Sequence, residues 1–318
     1  MVPLLSIQGL CKEFRAGGLW TGRVIRAVDH VSLDVGLGET LGLVGESGCG
    51  KTTLARCALR LTEPSAGSVS FDGLELGRLS PEALRRKRRE FQIIFQDPLA
   101  SLDPNLTVRQ ILSEPYEVHG LGTRVERNRW IEELAEAVSL DGSLLFRRPA
   151  SLSGGQQQRV GIARSLALKP RLLLADEPVS ALDASVQAQI LNLLADLQKR
   201  FGLTLILISH SLQVIHYMCS RIAVMYLGRI VEEASAEVFF AGPMHPYSRL
   251  LFQSMPVPGS WEPEPQPAAP CESPEVQVPQ AVCAFHPRCA YVQTRCREQV
   301  PELKPCDPGS KVACFLYT

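Results

Sequence analysis

The sequence predicts an α/β fold built on a parallel sheet buried on both faces, and three observations carry that prediction. From residue 40 onward the apolar residues come in short continuous runs, at 41–44, 91–95, 172–175, 204–208 and 222–225, separated by helical patterns. Strands covered on both faces read this way. The first run leads through a glycine-rich turn, GESGCGKTT at 45–53, into a helix-like stretch at 53–61. The third run ends in two adjacent carboxylates, Asp176 and Glu177. Open α/β sheets hold their ligands at that end of a strand.

The remaining elements fit around this sheet. Residues 4–10 and 24–35 alternate apolar and polar side chains, as half-buried antiparallel strands do, with a glycine-rich loop tip expected at 17–22. Residues 97–165 turn helical, and 130–140 repeat apolar side chains every three or four positions, so a helical insertion is expected inside the α/β core. Residues 256–280 are proline-rich with few large apolar groups and read as a linker. The organisation expected is a main domain over 1–255, the linker at 256–280 and a cysteine-rich tail over 281–318.

Composition narrows the function classes. A chain of 318 residues with 45 % hydrophobic and 21 % charged residues has ample core. Its formal net charge of zero gives no global pull toward nucleic acid, and the basic run Arg85 to Arg89 reads as a solvated helix face. No leader is visible in residues 1–10, and no apolar run is long enough to span a membrane. A cytosolic protein is the starting expectation.

The turn at 45–53 carries the first piece of chemistry. A polyphosphate must be held by many donors at short range. Gly45, Gly48 and Gly50 are expected to let the backbone adopt positive φ and bring its N–H groups inward, in a loop whose candidate nucleotide-binding residues also include Glu46, Ser47 and Cys49. The helix that follows adds its positive end. Lys51 is placed to reach the terminal phosphates, Thr52 to ligate Mg²⁺, and Thr53 to continue the helix. Cys49 reads as a small residue filling the turn. In RLLLADEP (171–178), Asp176 would hold Mg²⁺ through its water shell and Glu177 would polarise the attacking water.

LSGGQQQR at 152–159 is the most specific string in the chain. Ser153 can cap the helix after it, while Gly154 and Gly155 expose backbone N–H groups at a second anion-binding helix start, with Gln156 next in the candidate nucleotide-binding string. One γ-phosphate does not need two such termini from the same chain. With this string the sequence resembles the ABC-type ATPases, and the other motifs stand in the expected order. Gln96 is similar to the Q-loop glutamine, which joins Thr52 and Asp176 around Mg²⁺. Ser180 to Asp183 resembles the D-loop, His210 the switch histidine, and Phe14 the aromatic that stacks on adenine. The resemblance implies an ATPase whose catalytic residues are Glu177, His210 and Gln96. It also implies two domains that sandwich ATP between the P-loop of one and the signature of the other.

GLVGESGCGKTTLAR, IIFQDPLASLDP, DEPVSALDASVQAQILNLL, SHSLQVIHYM and His245-Pro246-Tyr247 resemble, more closely, the ATP-binding subunits of peptide/nickel importers. That likeness implies two membrane permease subunits, a second ATPase subunit, an extracytoplasmic solute-binding protein and a peripheral place at the cytoplasmic face of the inner membrane. The segment between Gln96 and the signature is where such subunits receive a permease helix. The alternative is a soluble ABC-type ATPase outside transport, such as a carbon–phosphorus lyase subunit.

The tail is a second candidate site. Cys283, Cys289, Cys296 and Cys314 resemble the terminal cysteine motif of these subunits, which is associated with a [4Fe–4S] cluster. Four thiolates suit that cluster or Zn²⁺, and the absence of paired Cys-x-x-Cys knuckles leans toward the cluster. Cys306 is an alternative fourth ligand to Cys314; Cys271 is surplus, and His286 reads as a turn residue.

Overall fold

The computed structural model describes residues 2–16, 23–253, 281–306 and 309–317. The expected loop tip at 17–22 and the whole linker at 256–280, Cys271 included, lie outside the described residues. The chain forms two compact units interleaved in sequence. One comprises Met1–Leu4, Val35–Glu39 and Asp72–Ile208; the other comprises Leu5–Asp34, Thr40–Phe71 and Ser209–Thr318.

The first unit carries three parallel strands, Phe91–Ile94, Leu172–Asp176 and Thr204–Ser209, with Leu172–Asp176 in the middle. Every residue of the last two is buried, as continuous apolar runs require. The helical insertion contains Pro98–Ser101, Val108–Val118, Arg124–Ala137 and Gly154–Leu166. The periodic stretch near Trp130 starts earlier than its apolar pattern, because Thr123 and Glu126 form a reciprocal capping box. Part of the basic run is pinned to the insertion: Arg85 donates to the Val118 carbonyl and Arg89 to the His119 ring.

The second unit holds Thr40–Val44 parallel to Arg221–Tyr226, then Arg229–Ser235, Ser310–Val312 and Lys304–Pro305 in antiparallel order. A smaller antiparallel sheet places Leu5–Ala16 between Arg23–Val35 and Ala66–Phe71. Three strand regions have no counterpart among the sequence expectations. Ala66–Phe71 (AGSVSF) reads as a loop until Leu5–Ala16 is there to pair with it. Arg229–Ser235 carries two carboxylates into the interior, Glu232 at 1 % and Glu233 at 6 % exposure. Distant partners satisfy them: Glu232 accepts N–H bonds from Met244 and His245 at 2.8 Å each, and Glu233 pairs with Arg221 and Lys311. The tail strands Lys304–Pro305 and Ser310–Val312 extend this sheet, so the tail is built into the second unit.

Candidate nucleotide site and cysteine pocket

In the second unit the buried strand Thr40–Val44 delivers the chain into the glycine-rich turn, and Lys51 opens the helix Lys51–Ala58. The helix therefore begins two residues before the apolar pattern suggested. Gly48 and Gly50 take the left-handed conformation, with φ of 80° and 108°. Gly45 does not, which corrects the expectation for it. It is required for closeness instead: a Cβ there would lie 2.2 Å from the Met225 carbonyl oxygen. At Gly50 both reasons hold, since a Cβ would also sit 2.0 Å from the Ala27 carbonyl oxygen.

The N-cap is Gly50, so the cap residue itself has no side chain to compete with a ligand for the first N–H groups of the helix. Lys51 is only 5 % exposed, and its ammonium donates to the carbonyls of Gly45 (2.7 Å) and Glu46 (2.9 Å). A buried cation inside a ring of backbone amides is an anion site already charged for its ligand. Burial pushes the Cys49 thiol up despite the neighbouring ammonium, which keeps it protonated and in keeping with a turn filler. Phe14 leaves its ring 44 % exposed, with the Lys12 ammonium 5.0 Å from the ring centre. His210 is exposed directly after the strand Thr204–Ser209.

Glu46 is held on three sides. Its N–H donates to the Tyr247 hydroxyl at 2.8 Å, its carbonyl accepts from Lys51, and its carboxylate takes both prongs of Arg288 at 3.0 Å each. Sequence reading missed Arg288 and the role of Tyr247. They stand 242 and 201 residues from Glu46, and no local pattern links them.

In the first unit, Asp176 closes its strand at 3 % exposure. Glu177 follows at φ 47°, its N–H bonded to the Ile208 carbonyl at 3.0 Å. A non-glycine residue held in that region is backbone strain of the kind found at working sites. Gln96 donates its side-chain amide to the Glu177 carboxylate at 3.0 Å, so two residues 81 apart in sequence meet as the motif order suggested. The carboxylate of Asp176 and the carbonyl oxygen of Gln96 are hard oxygen donors of the type Mg²⁺ takes.

The signature helix Gly154–Leu166 is capped by Ser153, whose hydroxyl accepts from the Gln156 N–H at 3.3 Å. Gln156 returns the bond through its side-chain oxygen to the Ser153 N–H at 2.9 Å. Ser153 and Gly154 are exposed. The glycine pair has a packing duty too. A Cβ on Gly155 would meet Val186 at 2.6 Å and one on Gly154 would meet Leu182 at 3.1 Å. Asp183, in the D-loop stretch, caps the helix Ala184–Phe201 by accepting from the Val186 N–H at 3.0 Å.

Cys283, Cys289, Cys296 and Cys314 line one pocket of the second unit together with His245, Phe285 and His286. Cys306 does not line it, and its N–H bonds the Ser310 carbonyl. Burial, with the neighbouring thiols, pushes Cys283 up to about 11 and Cys314 up to about 12. Among the described residues, the group whose ligand atoms lie within 4.8 Å of one another is Cys11, Asp29 and His30, not any three of these sulfurs. The His286 ring is taken up by the Cys283 carbonyl at 2.8 Å.

The chain is similar to known proteins over most of its length. The family model described as ABC transporter matches residues 28–180, and the one described as oligopeptide/dipeptide transporter, C-terminal region, matches 231–296. The chain is 45 % identical to a putative peptide import ATP-binding protein of Brucella ovis, over 98 % of both chains. It is 47 % identical to a probable peptide ABC transporter ATP-binding protein of Sinorhizobium fredii, over 98 % of this chain and 90 % of that one. To the oligopeptide transport ATP-binding protein AppF of Bacillus subtilis it is 45 % identical over 99 % and 98 %. Among solved structures it is similar to the dimeric ATP-binding cassette MJ0796 in a post-hydrolysis state bound to ADP and phosphate. That match has a TM-score of 0.66 and 30 % identity, and covers 73 % of this chain and 98 % of that one.

Proposed function

The chain belongs to the family of ABC transporter ATP-binding subunits, and from that premise we propose that it is the ATP-hydrolysing motor of an importer for peptides or related small solutes. The observation that carries the cargo class is the oligopeptide/dipeptide C-terminal region at 231–296, which a carbon–phosphorus lyase subunit gives no reason to carry. In this reading Phe14 stacks on the adenine. The loop from Gly45 to Thr53 wraps the phosphates, and Lys51 turns its ammonium from the Gly45 and Glu46 carbonyls to phosphate oxygens. Thr52, Gln96 and Asp176 would hold Mg²⁺, which would supply Lewis-acid stabilisation of phosphate charge. Glu177, steadied by Gln96, accepts the proton of the attacking water, and His210 contacts the γ-phosphate side.

Ser153 to Gln156 cannot serve the same nucleotide twice over, so they complete the site of a second ATP-binding subunit. ATP then bridges two subunits, and its hydrolysis separates them. That motion is passed to two permease subunits, through the 97–165 insertion, while an extracytoplasmic binding protein delivers the solute. No described helix is long and apolar enough to cross a membrane, which suits a subunit held at the cytoplasmic face by its permease. Vesicles containing the complete transporter test the reading: ATP hydrolysis should rise several-fold on adding peptide-loaded binding protein. Stimulation by another solute class and not by peptides would overturn the cargo assignment.

In the tail we assign Cys283, Cys289, Cys296 and Cys314 as thiolate ligands of a [4Fe–4S] cluster, with Cys306 outside the set. The shared pocket supports this. Anaerobically purified protein should be brown and carry iron and sulfide; colourless protein with stoichiometric zinc would refute it.

A further inference from the structure

Arg288 is not part of the ATPase motif set, yet its side chain reaches into the phosphate-binding loop. Its guanidinium forms a two-pronged ion pair with Glu46, both bonds at 3.0 Å, and lies 5.8 Å from the ring centre of Tyr226 and 5.7 Å from that of Phe285. The forked geometry fixes direction as well as distance, which a lysine could not do. Behind Arg288 stands a short stretch of chain, 283–289, that also carries two of the pocket cysteines. Phe285 anchors it at 2 % exposure against Tyr226 and Tyr247, with ring centres 5.3 and 5.6 Å away. The turn His286–Arg288 then aims Arg288 at the loop and Cys289 at the pocket.

We propose that Arg288 is a positioning residue for nucleotide binding, through which the phosphate-binding loop depends on the order of the four-cysteine segment. Glu46 lies in the turn that must present its amides inward. With its carboxylate fixed by Arg288 and its N–H by Tyr247, the loop is held in shape before ATP arrives, so less ordering remains to be done on binding. The segment that supplies Arg288 has one large apolar anchor and little core of its own, so whatever its thiols hold supplies much of its order. Emptying the pocket would loosen Arg288 and, through it, Glu46. The inference rests on the ATP-binding function proposed above and adds a control over it.

The test measures MgATP affinity and the ATPase KM and kcat on the full chain. Arg288→Gln should weaken MgATP binding about tenfold, the worth of one charge-assisted contact, and raise KM with kcat nearly unchanged. Glu46→Gln should do the same, and the double variant should be no weaker than either single one, because both remove one contact. Arg288→Lys, which keeps the charge without the fork, should fall between. Wild-type protein treated with an iron chelator under reducing conditions should drop to the affinity of Arg288→Gln, and Arg288→Gln should not change on the same treatment. Additive single-variant effects, an unchanged affinity in Arg288→Gln, or a chelated wild type that binds as before would each overturn the proposal. A wild-type chain that bound no MgATP at all would instead remove the function on which it rests.

Discussion

Two helix starts of the chain are the ones we assign to phosphate, and they are built on opposite plans. The helix Lys51–Ala58 has no capping side chain, enters through Gly50 in the left-handed conformation, and buries a lysine among the loop carbonyls. The helix Gly154–Leu166 occupies two N–H groups at its start, those of Ser153 and Gln156, in the Ser153–Gln156 box, and Ser153 and Gly154 are exposed. The first has its cation in place before the ligand arrives and needs its loop held in shape, as the bonds of Glu46 to Tyr247 and Arg288 do. The second is stable alone, a cap being worth about 1 kcal/mol, and presents its serine and glycine outward. An exposed terminus of this kind fits the proposed role of meeting a partner subunit's nucleotide.

Three variants sharpen the contrast. Glu177→Gln removes the proton acceptor without touching either terminus. It should leave MgATP affinity within about twofold while slowing hydrolysis about 10²- to 10⁴-fold in a steady-state assay. Near-normal turnover would mean the water is activated elsewhere. Lys51→Ala strikes the pre-charged terminus and should weaken MgATP binding about 10- to 100-fold by calorimetry, the range for losing a hydrogen-bonded charge. A smaller loss would imply that the amides alone hold the phosphates.

The smallest effect concerns the scaffold under the first terminus. His245 is fully buried, and burial lowers it to about 3 from an ordinary value near 6.5. Its Nδ1 accepts the Tyr247 N–H at 3.1 Å. Between those two values the unfolded chain binds the proton and the folded chain does not, so stability falls as pH drops below about 6.5, by at most about 1.4 kcal/mol per unit. Urea unfolding of His245→Asn between pH 7 and 5 should show a flatter dependence than the wild type. Identical slopes would contradict the assignment.

Much of this was legible in the sequence because it is local. A P-loop, a signature string and an acid pair each place their chemistry within a few residues, and the continuous apolar runs around them read as buried strands. The meeting of Gln96 and Glu177 followed from motif order. What stayed hidden depends on partners far along the chain. Arg229–Ser235 looks too acidic for an interior strand until Arg221, Lys311 and the Met244–His245 amides are beside it. Arg288 looked like any charged residue in a cysteine-rich tail. Gly45 was expected to be needed for positive φ and is needed for its missing Cβ, a distinction visible only once Met225 lies against it.

The central claim is that the capped, exposed terminus at Ser153 belongs functionally to a neighbour's nucleotide. The most direct test is the mass of the Glu177→Gln chain by light scattering, with and without MgATP, alone and with a second, related ATP-binding subunit. MgATP should convert the 34.9 kDa monomer into a two-subunit species. Adding Ser153→Arg to the same chain should abolish that species and leave MgATP bound to the monomer. A two-subunit species that survives Ser153→Arg, or a nucleotide-loaded chain that stays monomeric with either partner, would contradict the account.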